Sequence, residues 1–324
     1  MFHGLMRTGF WASALVLALI GAPLSQTRAQ DYPSKPITMI VPYPPGGGVD
    51  LIGRLVAERL TAALGQQVIV ENRGGAGGMI GTRDLAKAAP DGYTVGVGTS
   101  GISLSANAGY DVNKDFSPIG LIASTPIFIV AHPSFPAKSL AELIALARQQ
   151  PGKLSAGTPP APTINYFAAR LFNLAADVDI TVVTYKGTAP LTNDLLGNHV
   201  PLGFDTIPAA VSNVQAGQLR AIAVTGPTRS AALPEVPTAA ESGLPGFDAM
   251  IYYGLTAPAG VPRPIIDRLN KELRTMLAAE DFKKHLVSVG DDPAPSTPEQ
   301  YAENIKREEG KWAALVAKLG LKIE

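Results

Sequence analysis

Residues 41–50 read VPYPPGGGVD and join a predicted strand directly to a predicted helix. Before them, Ile37–Val41 is a short apolar run rich in β-branched residues, which is typical of a buried strand. Prolines and three consecutive glycines then end the strand, because glycine reaches backbone angles that larger residues avoid. From Asp50 onward, apolar side chains recur with a helical period at Ile52, Leu55, Val56, Leu60 and Ala63.

The glycine turn offers a seat for a small anion. Its backbone N–H groups are not obstructed by side chains, and they lie at a helix N-terminus that carries roughly +0.5 of an elementary charge. A tight connection without any ligand is the alternative. No Gly-Lys-Ser/Thr follows the glycines, so the turn is not a nucleotide-binding P-loop.

Residues 1–29 have the features of an export signal. Arg7 supplies a positive start, Phe10–Leu24 is an apolar run too short for a stable membrane span, and Thr27-Arg28-Ala29 places small residues at the cleavage positions. We expect cleavage after Ala29 and a periplasmic location. An uncleaved membrane anchor is the alternative.

Composition narrows the classes of protein to consider. The chain has no cysteine, which excludes disulfides, thiolate metal sites and cysteine nucleophiles. Loss of residues 1–29 removes two arginines and no acid, so the mature chain carries a formal charge of −2. That charge argues against nucleic acid or an anionic membrane surface as partner. We expect a soluble monomer of one large or two medium domains, without cofactor.

The first part of the chain predicts three successive βα units, and therefore a parallel sheet with right-handed crossovers. The second and third strands are predicted at Gln67–Val70 and Tyr93–Val97, with a glycine-rich turn and the helix Met79–Ala89 between them. The third strand runs into GVGTSG, which satisfies G-x-G-x-x-G. Ile102–Gly109 lacks the amphipathic helix that a dinucleotide site needs, so we expect Thr99 and Ser100 to face a different ligand.

A second α/β unit follows a long predicted strand, Phe116–Ala131, which is interrupted only by Pro126 and is long enough to pass between domains. The second unit has the predicted strands Leu154–Ala156, Asp179–Thr184, Val200–Phe204 and Leu219–Val224, and the predicted helices Ser139–Gln149, Ile164–Ala176, Ala189–Leu196, Ile207–Ala216 and Ala239–Ser242. A strand at residues 252–258 crosses back, and the helices Pro264–Leu277 and Pro298–Leu319 end the chain. We predict an α/β fold of two lobes, residues 30–125 with 252–324 and residues 126–251, joined by two crossing strands and enclosing a cleft.

Seven stretches resemble the periplasmic substrate-binding receptors of tripartite tricarboxylate transporters, the Bug or TctC family. They are PITMIVPYPPGGGVD (36–50), VENRGGAGGMIG (70–81), PDGYTV (90–95), YKGTAPLTNDLL (185–196), AGQLRAIAV (216–224), RSAALPEVPTAAE (229–241) and LTAPAGVP (255–262). They span nearly the whole mature chain in order. The resemblance implies a Venus-flytrap receptor that captures a small carboxylate through backbone amides and ordered waters, then delivers it to membrane transporter subunits.

The resemblance also implies positions for the ligand. The first ligand loop corresponds to Tyr43–Asp50 and includes Pro45, Gly46, Gly47 and Gly48, with Asp50 facing the pocket or bracing the loop. Asp205 reaches the cleft in the resemblance, and because a buried carboxylate would repel an anionic ligand, we expect it to pair with a ligand amine or with a loop hydroxyl or amide. The alternative is a helix N-cap before Ile207. For a ligand with only fixed negative charge, affinity should change little between about pH 6 and 8.

The second ligand loop, Ser155–Tyr166, departs from its relatives. Pro160 and Pro162 stand where relatives commonly have glycine, and Tyr166 stands where they have histidine. Proline has no N–H to donate, so this loop must hold a ligand with the Thr158 and Thr163 hydroxyls, the remaining amides and Tyr166, or hold it less tightly. We therefore hypothesise an unusual carboxylate, aromatic ones included, whose ring contacts Tyr43, Tyr166 and Tyr253.

An enzyme is the rival class, and the sequence offers it little. His132, His199 and His285 are isolated, without the spacing of a metal site, and no G-x-S-x-G nucleophile elbow is present. Lys186 follows a predicted strand in Tyr-Lys-Gly, which is better explained as a turn or a cleft wall than as a Schiff-base lysine. We predict neither catalytic nor metal-binding residues. A receptor that reports its ligand to a signalling partner uses the same pocket and stays an alternative.

Overall fold

Parallel βα units begin the part of the chain that this computed structural model describes, residues 32–100 and 109–320. The strands β1 (Ile37–Val41), β2 (Val68–Asn72) and β3 (Thr94–Thr99) pair in parallel in the order β2-β1-β3. The helices α1 (Gly48–Leu64) and α2 (Met79–Ala86) connect them. The predicted export signal, residues 1–29, and most of Ile102–Gly109 lie outside the described residues.

One long strand, β4 (Phe116–Ala131), belongs to both halves of the sheet. Its first part pairs antiparallel with β9 (Met250–Pro258), and its second part pairs with β7 (Leu202–Thr206) and β8 (Arg220–Val224). The change of partner falls at Pro126, and most of the strand is buried. The prediction of a strand that passes from one half to the other is confirmed.

The second half repeats the α/β arrangement. β5 (Ser155–Thr158) pairs in parallel with β6 (Thr181–Thr184) and with β7. The helices of this half are α3 (Leu140–Gln149), α4 (Ile164–Ala176), α5 (Thr188–Leu196) and α6 (Ile207–Gln215). Ala239–Ser242, predicted as a helix, consists of turns, because Ala239 N–H donates to Val224 O at the end of β8 and ties the segment to the sheet.

The C-terminal part returns to the first half. β9 pairs antiparallel with β3 and β4 and is followed by α7 (Arg263–Ala278), α8 (Glu280–Ser288), β10 (Asp292–Pro293) and α9 (Pro298–Leu319). The bounds of α9 agree with the sequence, since Thr297 and Gln300 form a capping box at its start. On α9, the buried Trp312 lies against Phe167 of α4, with ring centroids 6.1 Å apart. The core therefore continues from one half to the other.

Candidate functional site

A cavity of about 610 Å³ lies where the two halves of the sheet meet. Its walls come from turns at the carboxyl ends of parallel strands, which is where open α/β sheets place their ligand sites. The first half contributes residues 43–45 and 47–49, Asn72 and the glycine-rich turn 74–78. The second half contributes residues 159–161 and 163–165, the turn 186–190 before and into α5, and Thr206 at the end of β7.

Seven of the predicted site residues line this cavity, and six do not. Those that line it are Tyr43, Pro45, Gly47, Gly48, Thr99, Thr163 and Tyr253. Those that do not are Gly46, Asp50, Ser100, Thr158, Tyr166 and Asp205. Of the three tyrosines predicted to contact a ligand ring, Tyr43 and Tyr253 lie at the cavity and Tyr166 does not.

Asp50 braces the first loop. Its carboxylate accepts hydrogen bonds from Gly46 N–H at 2.9 Å, from Asn72 Nδ2 at 2.8 Å and from Arg54 Nε at 3.1 Å. Burial alone would raise the pKa of Asp50, but the hydrogen bonds from Arg54, Gly46 and Asn72 hold it below its ordinary value of 3.8. Of the two roles left open by the sequence, bracing matches this geometry. Gly46 belongs to the same brace.

Three other predicted contacts point elsewhere. Ser100 lies behind the cavity, where its Oγ accepts from Tyr252 N–H at 3.4 Å. Thr158 is fully buried and donates its hydroxyl to Pro159 O at 2.8 Å. Tyr166 lies on α4 with its ring edge-on to Phe167, 5.5 Å between centroids, so it packs against the core.

Asp205 lies behind Thr206 rather than in the cavity wall. Its carboxylate accepts from Thr206 N–H at 2.8 Å and from Thr192 Oγ1 at 3.1 Å, so it is paired with a loop amide and a hydroxyl. Complete burial raises the pKa of Asp205 to about 7, which these two hydrogen bonds only partly oppose. The N-cap of α6 is Thr206, not Asp205, so the alternative role as a cap is excluded.

The base of the cavity holds two hydroxyl groups without a hydrogen-bond partner among the described residues, Thr206 Oγ1 and Tyr253 OH. Both side chains are buried. They surround the first turn of α1, since a Cβ built on Gly48 would lie 2.9 Å from Tyr253 OH and 3.3 Å from Thr206 Oγ1. Burial raises the pKa of Tyr253 well above its ordinary value, so this hydroxyl keeps its proton and can donate it in a hydrogen bond.

The two halves touch across the mouth of the cavity. A Cβ on Gly47 would lie 3.7 Å from Thr188 Oγ1, and one on Gly187 would lie 3.6 Å from Pro44. Gly77 packs more tightly still, against the segment 161–162. These contacts describe a cleft in a closed arrangement.

Sequence reasoning missed several lining residues, notably Asn72, Thr188 and Thr206, and left Lys186 as no more than a turn or part of the cleft wall. Each lies at the carboxyl end of a strand or shortly after it, at the same edge of the sheet as the predicted loops. That shared edge is the signal that could have found them.

Within the described ranges, no group of three or more His, Asp or Glu side chains is placed to hold a metal. The same ranges contain no helix with the length and apolar character of a membrane span.

Residues 52–321 match the family model described as "Tripartite tricarboxylate transporter family receptor", TctC. The chain belongs to this family. It is 36% identical to Protein BugT of Bordetella pertussis, over 96% of each chain. The predicted receptor family and its α/β periplasmic-binding-protein fold are confirmed.

Two similar solved structures are of proteins with a bound acid. The R. palustris protein Rpa4515 "with adipate" is 33% identical, with a TM-score of 0.86 over 89% of this chain and 98% of its own. MatC from Rhodopseudomonas palustris "with bound malate" is 32% identical, with a TM-score of 0.83 over 88% of this chain and 100% of its own. The family and these neighbours are periplasmic solute-binding proteins, not enzymes.

Proposed function

We propose that the chain is an extracytoplasmic receptor that captures a small carboxylate in the cleft between its lobes and delivers it to a membrane transporter. The observation that carries the proposal is the pair of unpartnered hydroxyls, Thr206 Oγ1 and Tyr253 OH, at the N-terminus of α1. Buried polar groups normally have partners, and unsatisfied ones cost roughly 1–3 kcal/mol each. A ligand oxygen is the partner that this position suits.

The charge of that ligand follows from the surrounding groups. The first turn of α1 leaves backbone N–H groups without intrahelical partners, and its N-cap, Gly47, provides no side-chain hydrogen bond. Tyrosine and threonine hydroxyls can donate, and the helix N-terminus favours negative charge. A carboxylate oxygen would thus accept from several donors at once. Asp205, neutral below about pH 7, does not oppose it there.

The relatives support the same class of ligand. Adipate and malate, the compounds named with two solved neighbours, are both small carboxylates. Much of the cavity wall here is apolar, including Pro44, Pro45 and Ile251, so a ligand with an apolar body suits it. Aromatic carboxylates remain within this class, with Tyr43 and Tyr253 at the wall.

Delivery to a transporter is supported by the description of the family, which names these proteins as transporter receptors. Export through residues 1–29 with cleavage near Ala29, the monomeric state, and the lobe boundaries at residues 125–126 and 251–252 stay predictions. Closure of the lobes about the ligand would change the outer surface that the membrane partner contacts.

Titration calorimetry with adipate, malate and benzoate tests the proposal. We expect at least one acid to bind, to raise the melting temperature, and to be recovered chemically intact. Thr206→Val and Tyr253→Phe should each weaken that binding roughly tenfold, because each removes one hydrogen bond to a charged group. Thr181→Val, an exposed threonine on β6, is the matched control and should bind as the wild type does.

Two results would overturn the proposal. One is binding that is unchanged in both Thr206→Val and Tyr253→Phe, which would separate the carboxylate from the base of the cavity. The other is chemical conversion of the bound acid by the wild type, which would make the chain an enzyme.

A further inference from the structure

Lys186 is the only charged side chain among the described residues that line the cavity. We infer that Lys186 determines specificity by pairing with a second anionic group of the ligand at the mouth of the cavity. This inference rests on the proposed function, which places the first carboxylate at the base. It adds a specificity-determining residue and the preference that this residue gives, for an acid with two anionic ends over the matched acid with one.

The position of Lys186 suits this role. It lies in the turn between β6 and α5, and its side chain is exposed. The following residue, Gly187, is the N-cap of α5 and provides no side-chain hydrogen bond to the helix start. Unpaired N–H groups of α5 therefore add positive potential beside the lysine.

Lys186 is also uncommitted, in contrast to the basic residues of the first-half loops. Arg54 forms an ion pair with Asp50 at 3.0 Å, and Arg73 forms ion pairs with Glu71 and Asp84. No ion pair or side-chain hydrogen bond within the described residues involves Lys186. Its charge is available to a ligand.

Lys186 lies at a different depth from the base of the cavity. Tyr253 is fully buried and Thr206 is 6% exposed, whereas Lys186 is in contact with solvent. Apolar residues from both halves make up much of the remaining wall: Pro44, Pro45, Val49, Pro159, Pro160, Ala161, Ile164 and Ile251. A single carboxylate at the base would leave Lys186 without a partner, and a ligand with a second anionic end would reach both.

The strength of this pairing is limited by solvent, so its main consequence is selectivity. A charge pair at an exposed mouth contributes less than a buried hydrogen bond, and salt screens it. A neutral end gains nothing from the lysine. We therefore expect Lys186 to change the ratio of the affinities for an acid with two anionic ends and for one with a single anionic end. Its effect on folding and on closure of the cleft should be smaller.

Matched acids isolate the second charge. Adipate and hexanoate share one chain length and differ by one carboxylate, as terephthalate and benzoate do for a ring. In calorimetry, the wild type should prefer the diacid in at least one pair, and Lys186→Gln should weaken binding of that diacid by about twofold to fivefold. Binding of the matched monoacid should stay unchanged. Lys186→Arg should keep the preference, and Lys153→Gln, an exposed lysine at another turn of the same half, should leave both affinities unchanged.

Salt dependence supplies a second measurement. The affinity of the wild type for the diacid should fall with ionic strength more steeply than that of Lys186→Gln. Equal loss of diacid and monoacid binding in Lys186→Gln, or no loss of either, would overturn the inference while leaving carboxylate binding intact. Failure of all four acids to bind the wild type would instead contradict the proposed function, and this inference with it.

Discussion

Gly77 and Pro162 face each other across the mouth of the cavity with no room for a side chain between them. A Cβ built on Gly77 would lie 2.6 Å from Pro162 Cδ and 2.7 Å from Ala161 O. Gly77 also has a φ of +63°, a conformation in which glycine is favoured. The contact joins the glycine-rich turn of the first half to the proline-rich loop of the second. The absence of a side chain at residue 77 is therefore what allows the two loops to meet.

Gly77→Ala should weaken ligand binding about tenfold or more, because its methyl group holds the two loops apart in the closed state. Gly217→Ala is the matched control: Gly217 has a φ of +70° and open space around its Cβ position. Both variants should lose roughly 1–2 kcal/mol of unfolding free energy from the left-handed conformation. Calorimetry and chemical denaturation separate the two effects. Equal affinities in the two variants would show that this contact does not limit closure.

Asp50→Asn should loosen the first ligand loop. The carboxylate holds Gly46, Asn72 and Arg54 together, and breaking a buried network of this kind costs roughly 1–3 kcal/mol. Because the pKa of Asp50 is lowered in the folded state, its stabilisation is present above pH 4 and is lost as the pH falls through the folded-state value. Acid denaturation curves should be less steep in the variant than in the wild type. Unaltered curves would mean that the brace contributes no stability.

Asp205 should make both stability and binding depend on pH near neutrality. Its pKa is raised from 3.8 to about 7 by burial, so the folded protein resists ionisation and loses stability between those two values as the pH rises. Above about pH 7, an ionised Asp205 behind Thr206 would repel a carboxylate at the base of the cavity. This replaces the flat pH dependence expected from the sequence.

Asp205→Asn tests whether ionisation of Asp205 causes this pH dependence. Asparagine keeps one oxygen to accept from Thr206 N–H, its amide N–H can donate to Thr192 Oγ1 in place of the bond that Thr192 donates to Asp205, and it cannot ionise. Burial also raises the pKa of Asp291 and of Asp292, so the comparison must be made between the variant and the wild type at each pH. Affinity for a carboxylate should fall above pH 7 in the wild type and stay level in Asp205→Asn. If the affinities of the wild type and of Asp205→Asn changed with pH in the same way, a group other than Asp205 would be responsible.

Local patterns in the sequence predicted most of the fold. Thr297, Pro298 and Gln300 mark the start of α9 by themselves, and the glycine turn after β1 is equally local. The predictions failed where pairing with distant residues decided the outcome. Ala239 N–H bonds back to Val224 O of β8, and the short strand β10 forms by antiparallel pairing with β4, far away in the sequence. The order of strands in the sheet was not predictable from periodicity.

The site, like the fold, was predicted where the signal is local and missed where distant residues decide the arrangement. The loop at Tyr43–Gly48 was found because its chemistry is contained in one stretch. Thr206 ends β7 and Lys186 follows β6, both far along the chain, and only the strand order brings them to the same cavity. Tyr166 was placed in the site because it stands where relatives commonly have histidine in the second ligand loop, but the helical phase of α4 directs its ring onto Phe167. A side chain at the start of a helix cannot be assigned to a cavity without that phase.

Trp312 should report closure of the cleft through its fluorescence. Trp11 lies in the predicted export signal, so Trp312 is the only tryptophan expected in the mature chain. It is fully buried on α9 and packs against Phe167, which the predicted boundaries assign to the other lobe. Opening of the lobes should expose the indole and shift its emission to longer wavelength, and ligand should reverse the shift.

The measurement is a fluorescence titration of the ligand-free protein with an acid that calorimetry has shown to bind. Phe167→Leu should reduce the shift without abolishing binding, because leucine keeps apolar contact but removes the ring that meets the indole. Lys153→Gln is again the control and should respond as the wild type does. Emission that stays constant through saturation would mean that α9 and α4 move together. The hinge would then lie outside the Trp312–Phe167 contact, and the boundary between the lobes would have to be redrawn so that both residues belong to one of them.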